Sequence, residues 1–247
     1  MAELRPLRIV SLVPSVTETL LAWRVTPVAC TRFCEQPSLP HVGGTKDPDL
    51  RAVVAMRPDL VVMDEEENRR EDAAELREAG VDVHVTAVRS VDDVTPALKE
   101  LAERVGRGGV DVADVDGRAQ RAEGVRAFVP IWKRPWMTIN ADTYGSSMLA
   151  AVGAVNVFGG AGRRYPVVTL DEVAAAGPDV VLAPSEPYPF GPRHVPELQT
   201  VGPVTLVDGQ DLFWWGVRTG PALLRLAEVL RACTPERGAQ PSTERGT

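Results

Sequence analysis

A chain of 247 residues, 44% hydrophobic and 25% charged, holds enough apolar material for one large folded domain or two smaller ones, which excludes a wholly disordered protein. Its formal net charge of -7, with no basic cluster set against that field, excludes a protein that grips a nucleic-acid phosphate backbone. No apolar run approaches the roughly 18 residues needed to span a bilayer, so no membrane anchor is predicted.

The chain opens on LRIVSLVPSVTETLLAW. Ile9, Val10, Leu12 and Val13 form a short apolar run with β-branched weight, the pattern of a parallel strand covered on both faces. Pro14 ends it. Ser15 is predicted to cap the helix that follows, with Glu18 completing a capping box and Val16, Leu20 and Trp23 at helical spacing. In an open parallel sheet such a turn lies at the carboxyl ends of the strands, where ligands bind. A Pro- and Gly-rich connection then leads to a helix over 49–56, Arg57-Pro58-Asp59 and a strand over 60–63. The acidic run 64–67 precedes a helix over 69–78 closed by Gly80, then a strand over 81–85 and an amphipathic helix over 91–105. The order β-α-β-α-β-α predicts a Rossmann-like lobe.

Gly106, Gly108 and Gly109 interrupt that rhythm, and a mostly polar helix over 110–125 is predicted to join two lobes. The second half restates the first. A strand over 136–140, a turn and a helix over 147–155 echo the opening stretch. Leu170 to Ala176, Gly177-Pro178-Asp179 and VVLAP then repeat Leu50 to Met56, Arg57-Pro58-Asp59 and LVVMD. A Pro-rich loop, a strand over 204–207, the loop DGQDLFWWGVRTGP and a helix over 221–231 with Pro at its first position complete the lobe. The expected domains are an α/β lobe over 1–108, a connecting helix over 109–126, a second α/β lobe over 127–234 and a disordered tail over 235–247.

Cys30, Cys34 and Cys233 are too few and too irregularly spaced for a zinc site or a disulfide framework, and are expected to be unpaired and mostly buried. The first strand begins too soon after Met1 for an apolar leader, so the chain as written is expected in the cytoplasm. A mature chain whose leader had been removed would read the same and be extracytoplasmic.

The succession IVSLVPSVTETL, VGGTKDPDL, RPDLVV with its acidic follow-on, an intervening helix, GPDVVLAPSEP and FWWGVRTGP resembles the helical-backbone substrate-binding proteins. These serve ABC importers for vitamin B12, haem, ferric siderophores and some bare metal ions, and the cobalamin-binding branch is the nearest match. The resemblance covers the chain to about Cys233. It implies two Rossmann-like lobes with parallel sheets joined by a single backbone α-helix, the ligand held in the cleft between them. It implies a non-catalytic binding protein for a corrinoid or other metal chelate, needing no cofactor, monomeric, with an ABC permease as possible partner. A cytoplasmic corrinoid- or chelate-handling protein without an importer is the alternative.

Cleft residues are expected in loops at the carboxyl ends of strands. In the first lobe these are Pro14, Ser15, Thr17, Arg32, Phe33, Thr45 and Lys46, with residues 65–68 beside them. In the second they are Trp132, Trp136, Asp142, Tyr144, Glu186, Phe190, Trp214, Trp215 and Arg218. Four of the five Trp and all three Tyr fall in the second half, mostly in those loops, and flat rings suit a large planar or macrocyclic ligand. Adjacent Trp214 and Trp215 are not expected both to point inward. Direct metal binding is a rival, with His194 alone among three histidines in a predicted cleft loop. Catalysis is a weaker one, since no G-x-S-x-G surrounds Ser15 and no His stands ready as its base. Glu66, Glu67, Glu71 and Glu186 are the expected docking residues for basic patches on a permease.

Overall fold

Ile9 and Val10 point into opposite apolar clusters, so strand β1 (Ile9–Ser11) is buried on both faces as its composition predicts. The computed structural model describes residues 5–108 and 122–233. Helix α1 (Pro14–Ala22), β2 (Ala29–Cys30), α2 (Leu50–Ala55), β3 (Leu60–Asp64), α3 (Arg70–Glu78), β4 (Val83–Thr86) and α4 (Val91–Arg104) complete the first lobe. Its strands are parallel in the order β2-β1-β3-β4. The second lobe runs through β5 (Arg126–Phe128), β6 (Trp136–Met137), α5 (Tyr144–Ala151), β7 (Val155–Asn156), β8 (Val167–Val168), α6 (Leu170–Ala176) and β9 (Val180–Pro184). It ends with α7 (Val195–Leu198), β10 (Val204–Val207), α8 (Gly209–Phe213) and α9 (Thr219–Ala232). Its parallel sheet has the order β10-β9-β5-β7, while β6 and β8 form a separate antiparallel pair.

The internal repeat is visible in individual hydrogen bonds. Arg8 N–H donates to the Asp59 carboxylate at 2.8 Å, Asp59 N–H returns to the Arg8 carbonyl at 2.8 Å, and the Arg8 guanidinium donates to the Met56 carbonyl. Arg126 and Asp179 exchange the same pair of bonds, both at 2.8 Å, and the Arg126 guanidinium donates to the carbonyls of Ala176 and Gly177. The two Pro-Asp units thus pin β3 to β1 and β9 to β5 in the same way.

That equivalence corrects the expected opening of the second lobe. Its first strand is β5; the stretch 136–140 contributes instead to the β6–β8 pair, inserted between β5 and α5. Helix α5 begins at Tyr144 rather than 147 because Thr143 caps it, accepting the Ser146 N–H. Nor is Ser15 a cap: α1 starts at Pro14, two residues earlier than expected, with Val13 in the cap position, since proline's fixed φ suits the first helical turn. The connecting helix expected over 109–126 lies outside the described residues as far as 121, as does the expected tail over 235–247. The described end of that segment is a turn at Ala122–Val125, with Gly124 at φ 75, and Arg126 already belongs to β5.

One apolar core serves both lobes. It runs from Ile9, Val16 and Leu20 through Leu98 and Leu101 to Met148, Leu182, Trp215 and Leu226. Each lobe's outer face has a smaller cluster of its own. Close-packed helices slide only slightly past one another, so a shared core resists hinge opening. Ligand is therefore expected to leave the radius of gyration nearly unchanged in small-angle scattering; a large compaction would contradict this.

Candidate functional site

Chain loops at the carboxyl ends of both sheets face one another, and a polar brace shapes the first lobe's side. Buried Asp64, the last residue of β3, accepts from Thr86 Oγ1 at 2.7 Å and from the Glu66 N–H at 2.9 Å. Burial pushes its carboxyl upward against those donors. Buried Asn68 accepts the Asp64 N–H at 2.8 Å and donates to the carbonyls of Leu12 and Thr45. These bonds lock together the ends of β1 and β3 and the loop carrying Thr45.

Val91 N–H donates to Ser147 Oγ at 2.9 Å between α4 and α5, and among the described residues two ties built on side-chain ion pairs also cross between the lobes. Glu66 accepts from Arg164 Nη1 at 2.5 Å and from the Tyr165 hydroxyl at 2.5 Å, and Arg164 also holds Asp142 at 2.8 Å. Lys46 donates to the Glu66 carbonyl. The second tie is Arg218, whose guanidinium grips both oxygens of Glu18, at 2.7 and 2.9 Å, and Asp211 at 3.1 Å. Beside it Gly216, at φ 124, lies so close to α1 that a β-carbon would fall 2.3 Å from Thr19 Oγ1.

Several expected cleft residues present themselves to solvent at these loops. Phe33 is 50% exposed beneath the Arg32 guanidinium, and Arg32 also pairs with Asp47. Trp132 is 45% exposed and meets Tyr188 edge-on at 5.4 Å. Tyr188 leads to Phe190, which stacks on half-buried Trp136. The result is an aromatic patch with Trp132 outermost. Tyr165, 39% exposed, adds a ring that sequence reasoning missed, together with Arg164; the signal was a basic and aromatic tip, RRY, in a glycine-rich loop.

Other expected residues are structural. Pro14, Ser15, Thr17 and Thr45 are buried, and Thr17 Oγ1 lies within hydrogen-bond distance of Ser11 Oγ, the Val13 carbonyl and Cys34 Sγ, with one proton to donate among them. Tyr144 is buried with its hydroxyl on Thr219. Trp214 and Trp215 are both buried, at 9% and 4% exposure, contrary to the expectation that one would face outward. Alternation fails there because the 214–218 loop is packed between the lobes, so both of its sides are interior. Arg218 is occupied by its carboxylates and by the Trp214 ring at 5.4 Å. His194 is buried, its Nδ1 accepting the Gly191 N–H at 3.1 Å, so this nitrogen is not turned toward a cleft metal. Among the described residues no group of three His, Cys, Asp or Glu is placed to hold a metal ion.

The docking set also changes. Glu66 is spent on the cross-lobe tie, while Glu67 and Glu186 are part-buried at the cleft, because the loops after β3 and β9 fold inward over their sheets. Only Glu71, in the first turn of α3, stands exposed on the outer surface.

Two parallel α/β lobes with apposed carboxyl-end loops and a shared core define a two-lobed ligand-binding protein. The chain belongs to the periplasmic binding protein family, whose model matches residues 9–195. The vitamin B12-binding protein of Pectobacterium carotovorum subsp. carotovorum is 24% identical over 246 residues, covering 91% of this chain and 87% of that one. Among solved structures, the periplasmic vitamin B12 binding protein BtuF of Vibrio cholerae superposes with a TM-score of 0.77 at 18% identity, covering 92% of this chain and 97% of its own. The periplasmic heme-binding protein RhuT of Roseiflexus sp. RS-1 gives 0.76 at 22% identity, covering 92% and 99%. The two α/β lobes with parallel sheets that the sequence resemblance implied are observed, and the single joining helix it also implied lies outside the described residues as far as 121.

Proposed function

We propose that this protein is the substrate-binding component of an ABC importer and carries a corrinoid or related metal chelate in the cleft between its lobes. The observation that carries the reading is the exposure of Phe33, Trp132 and Tyr165 on loops at the carboxyl ends of the strands. Large rings left 39–50% exposed at a cleft are surfaces for a flat or macrocyclic ligand to cover. Relatives named as vitamin B12-binding proteins, matched along most of the chain, support the corrinoid side of the choice. The role is recognition and delivery without covalent change to the ligand, outside the cytoplasmic membrane, with the importer's permease as partner and the exposed α3 face of Glu71 as one contact. No helix among the described residues is long and apolar enough to cross a membrane.

Titration of intrinsic tryptophan fluorescence with cobalamin, cobinamide, haem and a ferric siderophore tests the proposal. The coloured macrocycle that binds is expected to quench steeply and saturably, with a dissociation constant of about 1 µM or below, equivalent to about 8 kcal/mol. Absence of quenching or binding by all four below millimolar concentration, with zinc or manganese raising the melting temperature, would overturn it.

A further inference from the structure

His194 faces an N–H donor at each ring nitrogen. The Gly191 N–H donates to Nδ1 at 3.1 Å, and Arg193 Nε directs its own N–H at Nε2 from 3.3 Å. A neutral imidazole offers one lone pair and one N–H, and an imidazolium offers no lone pair, so the two contacts cannot both be hydrogen bonds. The backbone decides between them. Gly191 is fixed by the turn Pro192–His194, in which the His194 N–H returns to the Gly191 carbonyl at 2.9 Å, whereas Arg193 is an exposed side chain free to turn. Nδ1 therefore keeps its lone pair for Gly191, and the ring proton sits on Nε2, toward the guanidinium.

Two N–H donors are left side by side with no acceptor between them. His194 is 4% exposed, so its Nε2–H is shielded from bulk water, and a buried donor left unmet is costly. Burial, then the charges of Arg193 and Lys133, hold the imidazole below the usual histidine range, which keeps it neutral at pH 7. Glu197, on α7, is held by Lys133, whose ammonium lies over the Trp136 ring at 5.4 Å. Arg193 pairs with no carboxylate among the described residues, so the surplus charge beside His194 is positive. The site adjoins the aromatic rim: His194 meets Tyr188 edge-on at 5.5 Å, and Tyr188 meets exposed Trp132 edge-on at 5.4 Å.

We infer that Arg193 and the Nε2–H of His194 form an oxyanion pocket beside the Trp132 rim, which takes a carboxylate or phosphodiester carried on the ligand's periphery. One oxyanion accepts from both donors, replacing their mutual repulsion by charge-assisted hydrogen bonds. The inference rests on the receptor reading above and deepens it by naming an anionic group that the ligand carries.

Two matched pairs of probes isolate the oxyanion. Cyanocobalamin, which carries a phosphodiester, is set beside cyanocobinamide, which lacks it, and haemin, with its carboxylates, beside haemin dimethyl ester. Each is titrated against wild type and Arg193→Gln, an exposed substitution expected to leave the fold intact. In the pair that binds, the oxyanion-bearing member is expected to lose about tenfold in affinity in the variant, and its counterpart less than about twofold. A loss in the cobalamin pair assigns the pocket to the phosphodiester, and a loss in the haemin pair assigns it to a carboxylate. Nitrogen-15 NMR of the imidazole rings gives a reading that needs neither variant nor ligand: His194 is expected as the Nε2–H tautomer at pH 7. The Nδ1–H tautomer, an unchanged affinity, or an equal loss for both members of a pair would overturn the proposal and leave the receptor reading in place. So would inorganic phosphate shifting the His194 signals while neither pair discriminates, which would mark a site for free anions. If no probe binds, the receptor reading falls, and this inference with it.

Discussion

Trp215→Ala is expected to destabilise the protein by about 3–5 kcal/mol, the usual consequence of truncating a buried tryptophan. The ring is 4% exposed and belongs to the core that both lobes share, so the cavity would open where the lobes meet. For a chain of this size the loss corresponds to roughly 10 °C in melting temperature. Because the core is continuous, calorimetry is expected to show one transition moved downward, with no separate melting of either lobe. The affinity of the remaining folded protein for its ligand is expected to stay nearly intact. A variant with wild-type stability and weakened ligand binding would return Trp215 to the cleft.

The second large effect is expected at Arg218. Its side chain is 16% exposed and reaches from the second lobe to both oxygens of Glu18 in the first. Alanine would leave Glu18 facing the interface without its partner, a loss of about 3 kcal/mol in denaturant unfolding, at the low end for buried pairs because Glu18 keeps a third of its surface. Asp211 would be less affected, since Arg225 also grips it at 2.6 Å. Lysine cannot reproduce the bidentate bond and is expected to recover less than half of the loss. Equal stability of Arg218→Ala and wild type would show that the shared core alone holds the lobes together.

Elements whose identity is local were legible in the chain. Leu170–Ala176 and Val180–Pro184 appear at the expected positions, and the two Pro-Asp units marked a repeat that the structure expresses bond for bond. What the chain could not show was which surfaces tertiary contact would cover. Periodicity describes the faces of one element and says nothing of what packs against them. Trp214 and Trp215 therefore looked like ligand anchors, while the loop that carries them is enclosed on both sides. Glu66 read as an outer-rim charge for the same reason, and so did Glu186, which was expected at the cleft as well: their loops turn inward, one to Tyr165 and one against Gly209. The β6–β8 pair was lost because Trp136 to Asn140 has the apolar content of a lobe-opening strand, and only the β5 pairing shows that this role was already filled.

The central claim is that the exposed aromatic rim of the cleft holds the ligand. The most direct test is equilibrium titration of Trp132→Ala, beside wild type, with whichever macrocycle quenches the wild-type protein, read by the ligand's own absorbance. Trp132 is 45% exposed and packs on Tyr188 alone among the aromatic rings, so its truncation is expected to leave the melting temperature almost unchanged. The predicted result is a loss of affinity of about 1–3 kcal/mol, which is five- to hundredfold. Unaltered affinity in that variant, with the ligand still bound one to one, would contradict the account.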